Sequence, residues 1–97
     1  MRFAAVINSQ ASTLKTADLD RLANRLVERF SAAGHAIDIA FTEGDGMDKS
    51  IRDAVEFGEA DAVLAGGGDG TISMAAGIVQ GTSKALAILP GENMNNF

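Results

Sequence analysis

The stretch Ala62-Val63-Leu64-Ala65-Gly66-Gly67-Gly68-Asp69-Gly70-Thr71-Ile72 decides the fold. Four apolar residues in a row read as a buried strand, and the glycines after them mark a sharp change of direction. Ile72, Ala75, Ala76 and Val79 then fall at helical spacing, with Gly81 where that helix should end. The segment is therefore a strand turned into a helix, with residues 66–71 as the connection.

Outward from this unit the pattern repeats. Upstream, Met47, Ile51, Ala54, Val55 and Gly58 carry helical spacing after the turn Gly44-Asp45-Gly46. Before them, Ile37, Ile39 and Phe41 alternate with Ala36, Asp38 and Ala40, a strand more exposed on one side. Further back, Leu19, Leu22, Ala23, Leu26, Val27 and Phe30 line one stripe of a helix whose Arg21, Arg25, Glu28 and Arg29 face water. Thr16 or Asp18 can cap its start, and Gly34 stands where a left-handed cap ends it. Phe3 to Ile7 is a first buried strand, and downstream Ala85 to Leu89 is a fourth, stopped by Pro90. Strands alternating with helices call for a three-layer α/β/α fold with a doubly wound, mainly parallel sheet and right-handed crossovers. Ligands in such folds sit at the carboxyl ends of the strands, here residues 8–10, 42–46, 66–71 and 90–97.

Composition narrows the function. The 97 residues suffice for one domain, and 46% hydrophobic with 22% charged residues is the balance of an ordinary globular chain. Eight basic against thirteen acidic residues leave a net charge of −5, which disfavours a broad nucleic-acid or anionic-membrane surface. Any phosphate bound here is held by geometry more than by charge. The absence of cysteine removes disulfides and thiolate-metal sites, and a single histidine removes His-based zinc sites. No apolar run approaches the ~20 residues of a membrane helix, and Met1-Arg2-Phe3 leads into a strand instead of a signal peptide, so a cytoplasmic location is expected.

The chemistry gathers at residues 66–71. Four glycines in five positions permit positive backbone torsions and leave amides uncovered, while the following helix aims its positive end at the same point. A phosphate chain fits such a place. The phosphate-loop pattern ending in Gly-Lys-Ser/Thr is absent, and the dinucleotide pattern fails because its third glycine would fall on Thr71.

Gly67-Gly68-Asp69-Gly70-Thr71 resembles the GGDGT signature of the diacylglycerol kinase, sphingosine kinase and NAD kinase superfamily. Ile88-Leu89-Pro90-Gly91-Glu92-Asn93-Met94-Asn95-Asn96-Phe97 is similar to the lipid-kinase segment LP-G-G/A-T-x-N-x-F, one helix and one strand later. Asn8 and Thr42, at the ends of the first two strands, match the family's asparagine and its nucleotide-contacting threonine, although Ser9 stands where many members have proline. Glu92 replaces a glycine, and Asn93 replaces the threonine that reaches the ATP phosphates in the family. A carboxylate at Glu92 repels phosphate unless it turns away or binds through magnesium.

The resemblance implies that residues 1–97 are the N-terminal, ATP-binding part of a lipid kinase catalytic domain, truncated before the β-rich domain that holds the lipid and supplies the catalytic base. No catalytic residue is then expected in this stretch. Asn8, Thr42, Gly66, Gly67, Gly68, Asp69, Gly70, Thr71, Asn93 and Asn95 are the expected ATP-binding residues, with Asp69 orienting the loop or holding Mg2+ through water. The implied partners are ATP and, for the full-length parent, a diacylglycerol-like lipid, with membrane contact only through the further domain. An NAD kinase-type fragment and a non-catalytic α/β association module are the other readings. A homo-oligomer is expected, because the fourth strand is apolar and guarded only by Lys84. His35 is expected to be a solvated turn residue, Asp45 and Asp48 helix caps more than metal ligands, and Met47 and Met74 core filler.

Overall fold

The computed structural model describes residues 1–10, 16–91 and 94, with Thr16 and Ala17 described by backbone alone. Four strands, β1 (Arg2–Asn8), β2 (Ala36–Thr42), β3 (Ala62–Gly67) and β4 (Ala85–Pro90), alternate with the helices α1 (Thr16–Ala32), α2 (Met47–Glu56) and α3 (Asp69–Val79). A 3-10 turn, Gly44–Gly46, leads into α2. All pairings are parallel, in the order β2-β1-β3-β4. The expected three-layer, doubly wound sheet is thus what the chain forms.

The strand period sorts the core into two layers. Ala5, Ile7, Leu64 and Leu89 point to one face, where Leu22 and Leu26 of α1 bury themselves with Phe30 beside them. Val6, Val63 and Ala65 point to the other, against Met47 and Ile51 of α2 and Ala75 and Val79 of α3. One helix thus lies on one face and two on the other. Each fully buried Leu, Ile or Met contributes about 1.5–3 kcal/mol relative to its exposed state. Met47 and Met74 belong to this second layer, as the spacing predicts. β3 is buried along its whole length because it lies between β1 and β4 and under α3. β2, an edge strand, alternates exposed and half-buried positions, as its sequence alternation requires.

The structure corrects several details of the sequence reading. The first helix begins at Thr16, so Asp18 lies in its first turn, where it pairs with Arg21 at 3.3 Å. Pro90 does not stop β4 but is its last residue, opposite Gly67; on an edge strand its missing N–H costs no ladder bond. Asp45 and Asp48 cap no helix, since neither the 3-10 turn nor α2 has a side-chain cap. Asp48 instead accepts from Arg52 Nε at 2.7 Å, and this bond, then its charge, keeps the guanidinium protonated to higher pH than usual. Lys84 is not a free guard on the β4 edge either: its ammonium donates to the Gly58 and Ala60 carbonyls.

His35 is the clearest correction. Gly34 adopts φ 85°, as expected, and the His35 N–H donates to Phe30 O at 2.8 Å while the Gly34 N–H donates to Ser31 O at 3.0 Å. This six-to-one and five-to-two pair closes α1 and folds the next side chain back onto the last turn. His35 is therefore half-buried, edge-on to Phe3 at 5.5 Å between ring centres, and accepts from the N-terminal ammonium at Nδ1 (3.0 Å). It lies at the amino ends of the strands.

Candidate functional site

The carboxyl edge of the sheet brings Thr42, Asn8, Gly67 and Pro90 into one row, through the pairs Asn8↔Thr42, Ile7↔Gly66 and Gly67↔Pro90. β1 runs on toward α1 on one face of the sheet and β3 toward α3 on the other, so a crevice opens where the winding reverses. Asn8 and the glycine connection stand on either side of it.

The connection is tighter than its sequence suggests. β3 runs through Gly67 and α3 begins at Asp69, which leaves Gly68 as the only residue between them. Gly68 is extended, at φ −80° and ψ −175°, and no glycine of this group has positive φ; among the described residues only Gly34 and Gly81 do. The glycines therefore serve space, not torsion. A Cβ on Gly67 would come within 2.7–2.8 Å of the Thr71 side chain. On Gly66 it would meet Ile7 Cγ1 at 3.0 Å and Met94 Cε at 3.1 Å, so Gly66 is where the buried Met94 packs over the strand end. On Gly68 and Gly70 it would meet nothing within 4 Å among the described residues.

Those last two positions open onto the start of α3. The first helical bond at this end is Ile72 N–H to Gly68 O, 3.0 Å, so the amides of Asp69, Gly70 and Thr71 precede it. They have no acceptor among the described residues. Three such N–H groups at the positive end of a helix, with open space in front, form an anion cradle. Asp69 is exposed in that first turn and Thr71 half-buried. Among the described residues no group of three or more His, Asp or Glu side chains gathers to hold a metal, so magnesium at Asp69 would take its other ligands from phosphate and water.

Asn8 and Thr42 are held beside the cradle by a small network. Ser9 N–H and Oγ donate to Thr42 O at 2.9 and 3.2 Å, Gln10 N–H donates to Asn8 Oδ1 at 2.9 Å, and Gly44 N–H donates to Gln10 Oε1 at 3.2 Å. Gly46 is pressed against Thr42, whose Oγ1 occupies the place of a Cβ. Gln10, Gly44 and Gly46 were not singled out from sequence, because a Gly-Asp-Gly run looks like any turn until the threonine hydroxyl beneath it is seen. Asn93 and Asn95 lie outside the described residues. His35, at the other end of the strands, is not part of the site. A separate groove of about 460 Å³ between α2 and β2, walled by Ala4, Val6, Ala40, Ala54 and Phe57, contains none of the expected site residues.

Residues 2–97 match the family model of the diacylglycerol kinase catalytic domain. The chain belongs to that family. Its fold is similar to the crystal structure of a diacylglycerol kinase from Bacillus anthracis str. Sterne, with 21% identity, TM-score 0.69, and coverage of 93% of this chain and 32% of that one. A second crystal structure from the same strain, provisionally assigned to the same enzyme class, superposes with TM-score 0.70 at 21% identity over 93% of this chain and 30% of its own. The chain thus spans about a third of the length of either structure. No helix among the described residues is long and apolar enough to cross a membrane.

Proposed function

We propose that residues 1–97 are the ATP-binding portion of a lipid kinase, which transfers the γ-phosphoryl group of Mg-ATP to a lipid hydroxyl such as that of diacylglycerol. The observation that carries this reading is the cradle at the start of α3: three amides without acceptors among the described residues, approached through the open positions at Gly68 and Gly70. In this reading the Asp69, Gly70 and Thr71 amides and the Thr71 hydroxyl donate to phosphate oxygens. Asn8 and Thr42 line the nucleotide edge. Asp69 is placed to hold magnesium through water, which supplies the charge neutralisation that phosphoryl transfer needs. That need is acute here, since among the described residues the carboxyl edge carries Glu43, Asp45 and Asp69 and no basic residue. Gly66 has a packing role beneath them.

Titration calorimetry tests this reading. The 97-residue chain should bind ATP with magnesium present and lose most of that affinity when magnesium is chelated or Asp69 is replaced by alanine. His35→Ala should leave affinity unchanged while lowering stability by about 1 kcal/mol, through loss of its edge-on ring contacts. An equal loss of affinity in His35→Ala would place the site at the wrong end of the sheet. Residues 1–97 are the nucleotide half in this proposal, so alone they should transfer no radiolabel from ATP to diacylglycerol. Transfer above a blank would overturn that division of labour.

The same reading includes self-association of the isolated chain. The outer edge of β4 pairs with nothing among the described residues, Ile88 is 46% exposed on it, and Lys84 is turned inward. Unpaired, uncharged strand edges recruit other chains. Sedimentation velocity at tens of micromolar should show species heavier than 10.0 kDa, and Ile88→Lys should return them to monomer. A wild-type chain that stays monomeric would refute it.

A further inference from the structure

β1 and β2 stay paired as far as Asn8↔Thr42, and beyond that pair the chain leaves toward helices on opposite faces of the sheet. Past the last strand bonds, Ser9 N–H and Oγ to Thr42 O, a side chain links the two departing loops. Gln10 bridges them with both of its ends: its backbone N–H donates to Asn8 Oδ1 at 2.9 Å, and its side-chain Oε1 accepts the Gly44 N–H at 3.2 Å. The first bond fixes the orientation of the Asn8 carboxamide, because only the oxygen can accept from an amide N–H. Asn8 Nδ2 is thereby turned toward the start of the 3-10 turn, 3.5 Å from where a Cβ on Gly44 would stand. The second bond holds that turn, whose Gly46 lies against the Thr42 hydroxyl.

We infer that Gln10 is a positioning residue for the nucleotide edge: it locks the loop after β1 to the turn after β2, so that Asn8 presents its NH2 group from a rigid rim, under which the Thr42 hydroxyl, donating to Glu43 O at 3.4 Å, supports the turn at Gly46. This rests on the nucleotide-binding reading above. The NH2 donor so presented suits the acceptor oxygens and nitrogens of a nucleotide. Gln10 is exposed, so its replacement should not disturb the core.

Two variants of the full chain test it. Gln10→Met keeps the shape and removes the acceptor, whereas Gln10→Glu keeps an acceptor for Gly44. Amide exchange at Gly44, followed by NMR on the ligand-free protein, should accelerate about fivefold or more in Gln10→Met and stay slow in Gln10→Glu, and the dissociation constant for Mg-ATP should rise about fivefold in Gln10→Met with the melting temperature unchanged. Unchanged exchange at Gly44 in Gln10→Met would overturn the bridge, even if affinity fell. Faster exchange with unchanged affinity would overturn the positioning role. Wild-type protein that binds no Mg-ATP would sink the nucleotide reading and the positioning role with it, while Gly44 exchange would still show whether the bridge exists.

Discussion

Gly67→Ala should be strongly destabilising, although it adds a single methyl group. Its Cβ would sit 2.7 Å from Thr71 Cβ and 2.8 Å from both Thr71 Cγ2 and Oγ1, closer than real Cβ contacts come. Thr71 is a short β-branched side chain in the first turn of α3, so it has no far end that can swing away. Either the turn shifts off the strand or the Gly67↔Pro90 pairing opens. Overpacking of this kind costs about 1–3 kcal/mol, against a total stability of roughly 5–10 kcal/mol for a domain this size. Urea denaturation should show the midpoint falling with little change in slope, and Mg-ATP binding should fall with it, because the amides of the cradle move with the helix start. A midpoint within experimental error of wild type would show that the contact relaxes more freely than close packing allows.

Gly68→Val, one residue on, should separate folding from binding. The backbone there is extended, at φ −80° and ψ −175°, which a β-branched residue adopts without strain, and among the described residues a Cβ meets nothing within 4 Å. Stability should change by less than about 0.5 kcal/mol. The isopropyl group would stand in the open space before the Asp69 and Gly70 amides, where phosphate must come within hydrogen-bond distance of about 2.9 Å. The dissociation constant for Mg-ATP should rise by at least tenfold, about 1.4 kcal/mol. Binding that survives Gly68→Val intact would remove this cradle from the site. Two adjacent glycines, identical as letters, thus fail in opposite ways: one through the fold and one through the ligand.

The contrast marks how far a linear reading reaches. That Asn8, Thr42 and the glycine run share one edge was legible because strand ends converge on one edge whenever a sheet is parallel and doubly wound, whatever the details of packing. The reason for the glycines was not legible. Positive torsion is the usual demand made by a glycine cluster, yet the chain uses positive φ at Gly34 and Gly81 and spends residues 66–70 on close approach and open space. Torsion depends on neighbours in the chain, whereas approach depends on Thr71, Ile7 and Met94, brought there by the fold. His35 was misread for the same reason: its sequence neighbours say turn, but the bond closing α1 swings it onto Phe30 and Phe3.

By itself the sequence determined the alternation of strands and helices, which faces of them are apolar, the edge on which the glycine run lies and the family signature, because each follows from local periodicity or from residues adjacent in the chain. The tertiary structure alone decided that Gly68 is the whole connection between β3 and α3, that Gly66 and Gly67 yield their space to Met94 and Thr71, and that Gln10 ties Asn8 to the turn beneath which Thr42 lies. Those facts join residues as much as 34 positions apart, and contacts between such residues are set only when the packed layers bring them within reach.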